Sequence, residues 1–351
     1  MKRLYLVFIS VLAFFLVTAL LNCGSSSKTT TTTTTITNQF AFLQDTTAGA
    51  ARVPVPLRHS GMLRLSRSQH GYGFRHGMSP DASSGPASGN YNIVLMNNDG
   101  SSPITAATSG DYMAVHEGYD GKGGVFCASD GTNWQIWYAD LSNPSSPAVT
   151  QLTTDGSDYF SPQLSWDGKT VVYEKQLSSG SPNEQIATIS VSGGTETVLA
   201  TSFDAVLPAF TPDGHIVFVN DTNYYNIEIM NADGTNITAL TASTTGQFDI
   251  YPSVSPDGKS ISFTRAIYNS TSDTYTHDIW MMNIDGSSQT QLTTDGKNFG
   301  SRWINNLIVV ASFKDTGTTG NAQIYSLDPS SKTETRLTND SYNEVFDWWG
   351  L

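Results

Sequence analysis

Six acidic or amide side chains recur along this chain at nearly constant intervals: Asp111, Asp158, Asp204, Asp249, Asn298 and Asp347. The steps between them are 47, 46, 45, 49 and 49 residues. Side chains repeated in this way converge if the chain folds as a ring of similar units. A ring of carboxylates focuses negative potential and draws in cations or peptides bearing Lys and Arg. The same spacing suits a plainer role, because an Asp that satisfies backbone N–H groups in a turn recurs whenever the turn does. Covalent chemistry has less support. The chain holds no Gly-x-Ser-x-Gly and no His-Glu-x-x-His, and His116, His215 and His277 lack ligand spacing. No catalytic residue, metal or cofactor is therefore expected.

The acids belong to a longer repeated phrase. Its clearest copies are Ser161-Pro-Gln-Leu-Ser-Trp-Asp-Gly-Lys169, Leu207-Pro-Ala-Phe-Thr-Pro-Asp-Gly-His215 and Tyr251-Pro-Ser-Val-Ser-Pro-Asp-Gly-Lys259. Each is followed by two apolar strand signals, a Gly-containing turn and a closing Leu or Leu-Thr. Four short strands per unit of about 46 residues are the mark of a β-propeller blade. Asp-Gly pairs suit the tight turn between a blade's first two strands. They fall at Asp120, Asp167, Asp213 and Asp257, with Asn305-Asn306 as a shortened equivalent, and so delimit five blades between about 111 and 343. Two pieces remain: strand signals at Gln39–Gln44 and Tyr91–Asn97, and one at Val345–Trp349. Joined, they make a sixth blade. The expected fold is an all-β, six-bladed propeller of four-stranded blades, its ring closed by the C-terminal strand pairing with the N-terminal blade, which removes open sheet edges.

The amino terminus reads as an address. Lys2-Arg3 precede an uncharged run from Leu4 to Leu21, and Cys23 follows. Residues 1–22 resemble a bacterial lipoprotein signal, in which Leu20 and Cys23 supply the two key positions, making Cys23 the lipidation site. An uncleaved transmembrane anchor is the alternative. Residues 23–38, with seven threonines from Thr29 to Thr35, have no apolar face to bury and read as a tether to the folded part, 39–351. Either reading puts the body outside the cytoplasm and on a membrane.

Charge is unevenly placed. Residues 91–351 carry 29 Asp and Glu against 10 Lys and Arg, whereas residues 46–90 carry five Arg, three His and one acid, Asp81. So acidic a body repels phosphate backbones, and nucleic acid is not expected as a partner. The segment 46–90 reads as a basic, flexible insertion in the first blade. It lies on the same rim as the acids and is a candidate to fold over them. Tyr224, Tyr225, Tyr268 and Tyr275 fall in the connections between second and third strands on that rim. Trp134, Trp137, Trp280 and Trp303 read as packing between blades, and Cys127 as a small buried residue.

The phrase Pro-x-φ-Ser-Pro-Asp-Gly-Lys, then φ-x-Phe, then Ile-x-x-Met-Asn-x-Asp-Gly, then Leu-Thr, where φ is apolar, closely resembles the repeat of TolB-type propellers. Residues 252–293 match it almost throughout. The resemblance implies the fold; it says little of function, since the repeat serves many proteins. TolB itself is a periplasmic protein that contacts a lipoprotein through its propeller. The expected function is a monomeric, membrane-tethered scaffold in the cell envelope that binds a protein or peptide, cationic in character, at the acidic rim. One alternative is a carbohydrate lyase or glycosidase using carboxylates at the channel mouth, which needs two carboxylates about 5–10 Å apart in a polar pocket, one with a raised pKa. The other is a structural envelope protein without a ligand.

Overall fold

The computed structural model of this chain describes residues 148–338, apart from 178–181, 200–201, 223–224, 273 and 315–321, together with most of 112–140. Backbone strands are also described at Gln39–Asp45, Arg64–Ser68, Gly71–Arg75, Tyr91–Asn97, Ile104–Ala106 and Glu344–Val345. The signal, Cys23, the tether, Asp111, the Asp120-Gly121 turn, Tyr224 and Asp347 lie outside the described residues.

Five blades follow one another, each an antiparallel sheet of four strands in sequence order. Their inner strands are Tyr112–Glu117, Asp158–Leu164, Ala205–Phe210, Gln247–Val254 and Asn298–Ile304. The blades are numbered I to V in that order. The expected count of six is thereby corrected to five blades of contiguous sequence. The chain ends do meet, in a sheet whose order runs from Glu344–Val345 through Gln39–Asp45 and Tyr91–Asn97 to Ile104–Ala106. Its terminal strand, however, is two residues long and makes only the pairs Leu43↔Val345 and Gln44↔Glu344. No hairpin ties that strand to its neighbour, as one does in each of the five. Within 46–90 a separate two-stranded hairpin pairs Arg64–Ser68 with Gly71–Arg75, so part of this insertion is regular strand.

Local chemistry explains why the refrain folds this way. In blade IV the Ser255 N–H donates to the Ser260 carbonyl at 2.8 Å and the Gly258 N–H to the Ser255 carbonyl at 2.9 Å. The Ser255 hydroxyl donates to Asp257 Oδ1 at 2.7 Å, and Gly258 sits at φ 69°, a conformation glycine adopts without steric cost. Blades II and III repeat the arrangement with Ser165–Asp167 and Thr211–Asp213. The outer Asp-Gly turn has a further reason for glycine: a Cβ on Gly286 would lie 2.6 Å from the Leu240 carbonyl oxygen of blade III.

The closing Leu-Thr is a latch. The Leu292 N–H donates to the Ile279 carbonyl at 2.8 Å, while Thr293 Oγ1 accepts the Ile279 N–H at 2.9 Å. The same pair of bonds joins Leu152-Thr153 to Ile136, Leu240-Thr241 to Ile227 and Leu337-Thr338 to Ile324. Blade II has Leu199 followed by Ala200, and keeps only the first bond.

Blades pack through an apolar layer that one buried cluster carries from Val125 in blade I to Met282 in blade IV. Trp134 and Trp303 are buried between blades, and Cys127 is fully buried with its thiol donating to the Tyr159 carbonyl of blade II at 2.9 Å. Replacing Thr241 or Thr293 by Val would leave a buried N–H without its acceptor. Each change is expected to cost about 1–3 kcal/mol in urea unfolding, and the two, lying in different blades, to add within roughly 0.5 kcal/mol. Unchanged stability in both variants would refute the latch.

Candidate functional site

The repeated acids, where described, are all engaged, two of them across a blade seam. Asp158 Oδ1 accepts the Trp134 N–H of blade I at 2.8 Å. Asp204 Oδ1 accepts the Asn183 and Glu184 N–H groups of blade II at 2.8 and 3.1 Å. Asp249 is fully buried and held by Arg265 of its own blade, Nε to Oδ1 at 2.6 Å and Nη2 to Oδ2 at 2.8 Å. The Arg265 guanidinium also stacks 4.4 Å above the Trp280 ring. Asn298, also fully buried, donates to Asp295 Oδ1 at 2.6 Å. No two of these four share a hydrogen bond among the described residues. Each follows the turn and seam chemistry of its own position.

The aromatic candidates divide. Tyr225 is buried, at φ 56°, with its ring edge-on to Phe248 at 5.6 Å. Tyr268 and Tyr275 pack against each other at 4.9 Å on the long hairpin of blade IV. That hairpin has two ten-residue strands, Ser260–Asn269 and Thr274–Asn283, whereas the second and third strands of the other blades have five to seven residues. Three more residues add about 10 Å of reach. Ile267 on this extension is 43% exposed.

The inner strands shape the channel. Each has a register shift, after Tyr112, Phe160, Val206, Ile250 and Phe299. In blades II to IV the bulge holds a non-glycine residue at positive φ followed by proline: Ser161 at 48°, Leu207 at 52° and Tyr251 at 54°. Blade V has Gly300 at 58° instead. These bulges surround a cavity of about 60 Å³, lined also by His116 and Arg302. Among the described residues no Asp or Glu lines it. The sequence reading treated Pro162, Pro208 and Pro252 as part of a fold phrase and did not connect them, His116 or Arg302 with the channel. Proline inside a strand was the available signal, because it is confined to edges and bulges.

Two buried ionic groups flank the seams. Lys175 Nζ is 2.8 Å from Asp155 Oδ2 and also contacts Glu196, whose Oε2 accepts the Tyr173 hydroxyl at 3.0 Å. Burial opposes ionisation of Asp155, but the bonds from Lys175 and Ser157 prevail and bring its pKa to about 2. The second group joins Glu174, Glu184, Asp221 and Tyr225. Burial, and after it the charges of Glu174 and Asp221, push the Glu184 carboxyl far above the usual carboxylate range. This raised carboxyl is not among the residues lining the axial cavity. Among the described residues no group of three His, Cys, Asp or Glu is placed to hold a metal ion, and no helix is long and apolar enough to cross a membrane.

Two outcomes follow. Arg265→Met strands the buried Asp249 carboxylate and is expected to cost about 3–5 kcal/mol, much of it recovered by adding Asp249→Asn; a double-mutant cycle in urea checks this. For Glu184, the folded-state pKa lies above its ordinary 4.5. Its contribution to stability is therefore complete below pH 4.5 and is lost as pH rises toward the folded value. Glu184→Gln should flatten that decline, raising Tm at pH 8 with little change at pH 4. Parallel Tm–pH curves for the two proteins would contradict the assignment.

No protein-family model matches the chain, and no curated protein matches it. Solved structures do. TolB from Acinetobacter baumannii superposes with a TM-score of 0.62 at 15% identity, over 89% of this chain and 66% of that one. The chain thus spans just under two thirds of that protein. A putative TolB from Agrobacterium tumefaciens gives 0.56 at 17% identity, over 70% and 88% of the two chains. A chain of a nidogen–laminin complex gives 0.52 at 13% identity, over 85% and 92%. What these likenesses share with the chain is the fold: it is an all-β propeller of four-stranded antiparallel blades, of the architecture found in TolB.

Proposed function

We propose that this protein is an extracytoplasmic, membrane-tethered propeller that holds a protein or peptide partner on the rim carrying the connections between second and third strands. The observation that supports this most is the blade IV hairpin. Its strands are longer than those of the other blades, and it exposes Ile267 on one face while the partly buried Tyr268–Tyr275 pair stiffens the other. Aromatic and aliphatic side chains on a stiff two-stranded support provide contact area at low entropic cost, the property that makes an anchor for a partner. The acidic body favours a partner with basic groups around that contact. Lipid at Cys23 and the threonine tract supply the tether, and the sheet formed by the chain ends acts as the element that closes the ring.

A photo-cross-linking residue at position 268, used in intact cells, is expected to give a discrete protein adduct that the same residue at position 259, on the opposite face, does not give. Equal labelling from both positions, or none from 268, would overturn the rim as the binding face. Cys23→Ala should move the protein from the membrane to the soluble fraction. For closure, Leu43→Cys with Val345→Cys should form a disulfide on oxidation, since these residues are paired.

A further inference from the structure

We propose that a single buried water molecule joins blades IV and V, held by Thr264, Asn298 and Ser312. Two orphaned atoms carry the argument. Thr264 and Asn298 are fully buried, and neither Thr264 Oγ1 nor Asn298 Oδ1 has a hydrogen-bond partner among the described residues. A buried oxygen left so is costly, and ordered water is the usual bridge for buried polar groups that no protein group reaches. The Asn298 amide cannot relieve its oxygen by turning over. Its Nδ2 donates to Asp295 Oδ1 at 2.6 Å, and the turned amide would set oxygen against carboxylate.

Register puts the two side chains on facing sheets. Thr264 is the cross-strand partner of Ile279, and Ile279 packs in one cluster with Ile308 and Val310 of blade V. Ser312 continues the alternation of Ile308 and Val310, and Asn298 is its cross-strand partner. One step along the same face, Ser262 Oγ lies 3.0 Å from Ser301 Oγ, so there the two blades meet directly through hydroxyls. Blade II shows what Thr264 lacks. Glu174 and Thr264 hold the same register, each paired with the residue just before the inner-strand shift, Phe160 and Ile250. The longer Glu174 reaches the next blade and accepts the Leu207 N–H at 3.5 Å. Threonine is two bonds shorter, and the shortfall is about the length of one hydrogen bond to water, roughly 3 Å.

The three groups suit water in particular. Ser312 is fully buried, and its Oγ accepts the Lys314 N–H at 3.2 Å, so its own proton is available to donate. A water accepting that proton directs its two hydrogens to Asn298 Oδ1 and Thr264 Oγ1, making the three bonds usual for a buried water.

The test is a high-resolution crystal structure of the full chain, with and without a rubidium chloride soak. The expected result is one ordered solvent peak within hydrogen-bonding distance of Thr264 Oγ1, Asn298 Oδ1 and Ser312 Oγ, unchanged by the soak. Anomalous signal from rubidium at that peak would show a monovalent cation and overturn the proposal. A direct Thr264–Asn298 bond, or no density between them, would overturn it too. In solution, Thr264→Val should lower Tm by about 2 °C, and by clearly less when Asn298→Leu is already present, because the two side chains share one water. Fully additive losses would refute that sharing. The unsubstituted protein's structure decides the matter even if either variant fails to fold.

Discussion

Inner strands that converge on one axis cannot all stay straight, and the rest of the structure is arranged around that crowding. Blades II to V place a residue in left-handed backbone where the inner strand approaches the channel, at Ser161, Leu207, Tyr251 and Gly300. Three of these lack glycine's freedom, so the fold carries strain of about 1–3 kcal/mol at each. Close packing on either side opposes it: Val206 and Val254 are essentially inaccessible, and both belong to buried strands next to the bulges. The proline that follows donates no hydrogen bond, which is tolerable at a bulge and nowhere else in a central strand. The bulge thus explains the Pro of the refrain, as the hairpin explains its Asp-Gly.

Strain at the axis has to be contained at the seams. Each blade has one covalent connection to the next, so seam bonds must hold the neighbours in register. Asp158 and Asp204 do this by accepting N–H groups where the preceding blade's third strand begins. The Leu-Thr latch does it within the blade by fixing the outer strand to the third. At Asp249 the backbone N–H crosses the seam to the Tyr225 carbonyl at 3.1 Å, while the carboxylate is held within its own blade by a buried ion pair with Arg265. Such a pair is weak as net stabilisation, because desolvation offsets most of the attraction, but it is costly to break from one side. The uneven means at equivalent positions show that the seam needs to be satisfied and does not need a particular residue to satisfy it.

This separates what could be read from sequence from what could not. The Asp-Gly turns, the strands after them and the Leu-Thr endings were legible because each is a local rule, enforced within a few residues by φ and by one or two hydrogen bonds. The blade count was not, because the end pieces pair across the whole chain and the terminal strand shrank to Glu344–Val345. The acids were visible by spacing, yet their role depends on which N–H group a neighbouring blade presents. Tyr225 looked like a rim aromatic and is buried, since its positive φ turns it toward Phe248. Nothing around Glu184 in sequence signals its raised pKa. The cause is its burial, together with Glu174, ten residues earlier across a hairpin, and Asp221 of the next blade.

Charge is arranged on the same principle. Acids in the turns keep their carboxylates bonded to nearby donors: hydroxyls of Ser165, Thr235, Ser255 and Ser287, with backbone N–H groups after them, lower the pKa of Asp167, Asp233, Asp257 and Asp285, and backbone N–H groups lower that of Asp328. At the axis the second solution is not open, because the inner strands' N–H groups are already paired or replaced by proline. Among the described residues the axial cavity is lined by Arg302 and a neutral His116 and by no carboxylate.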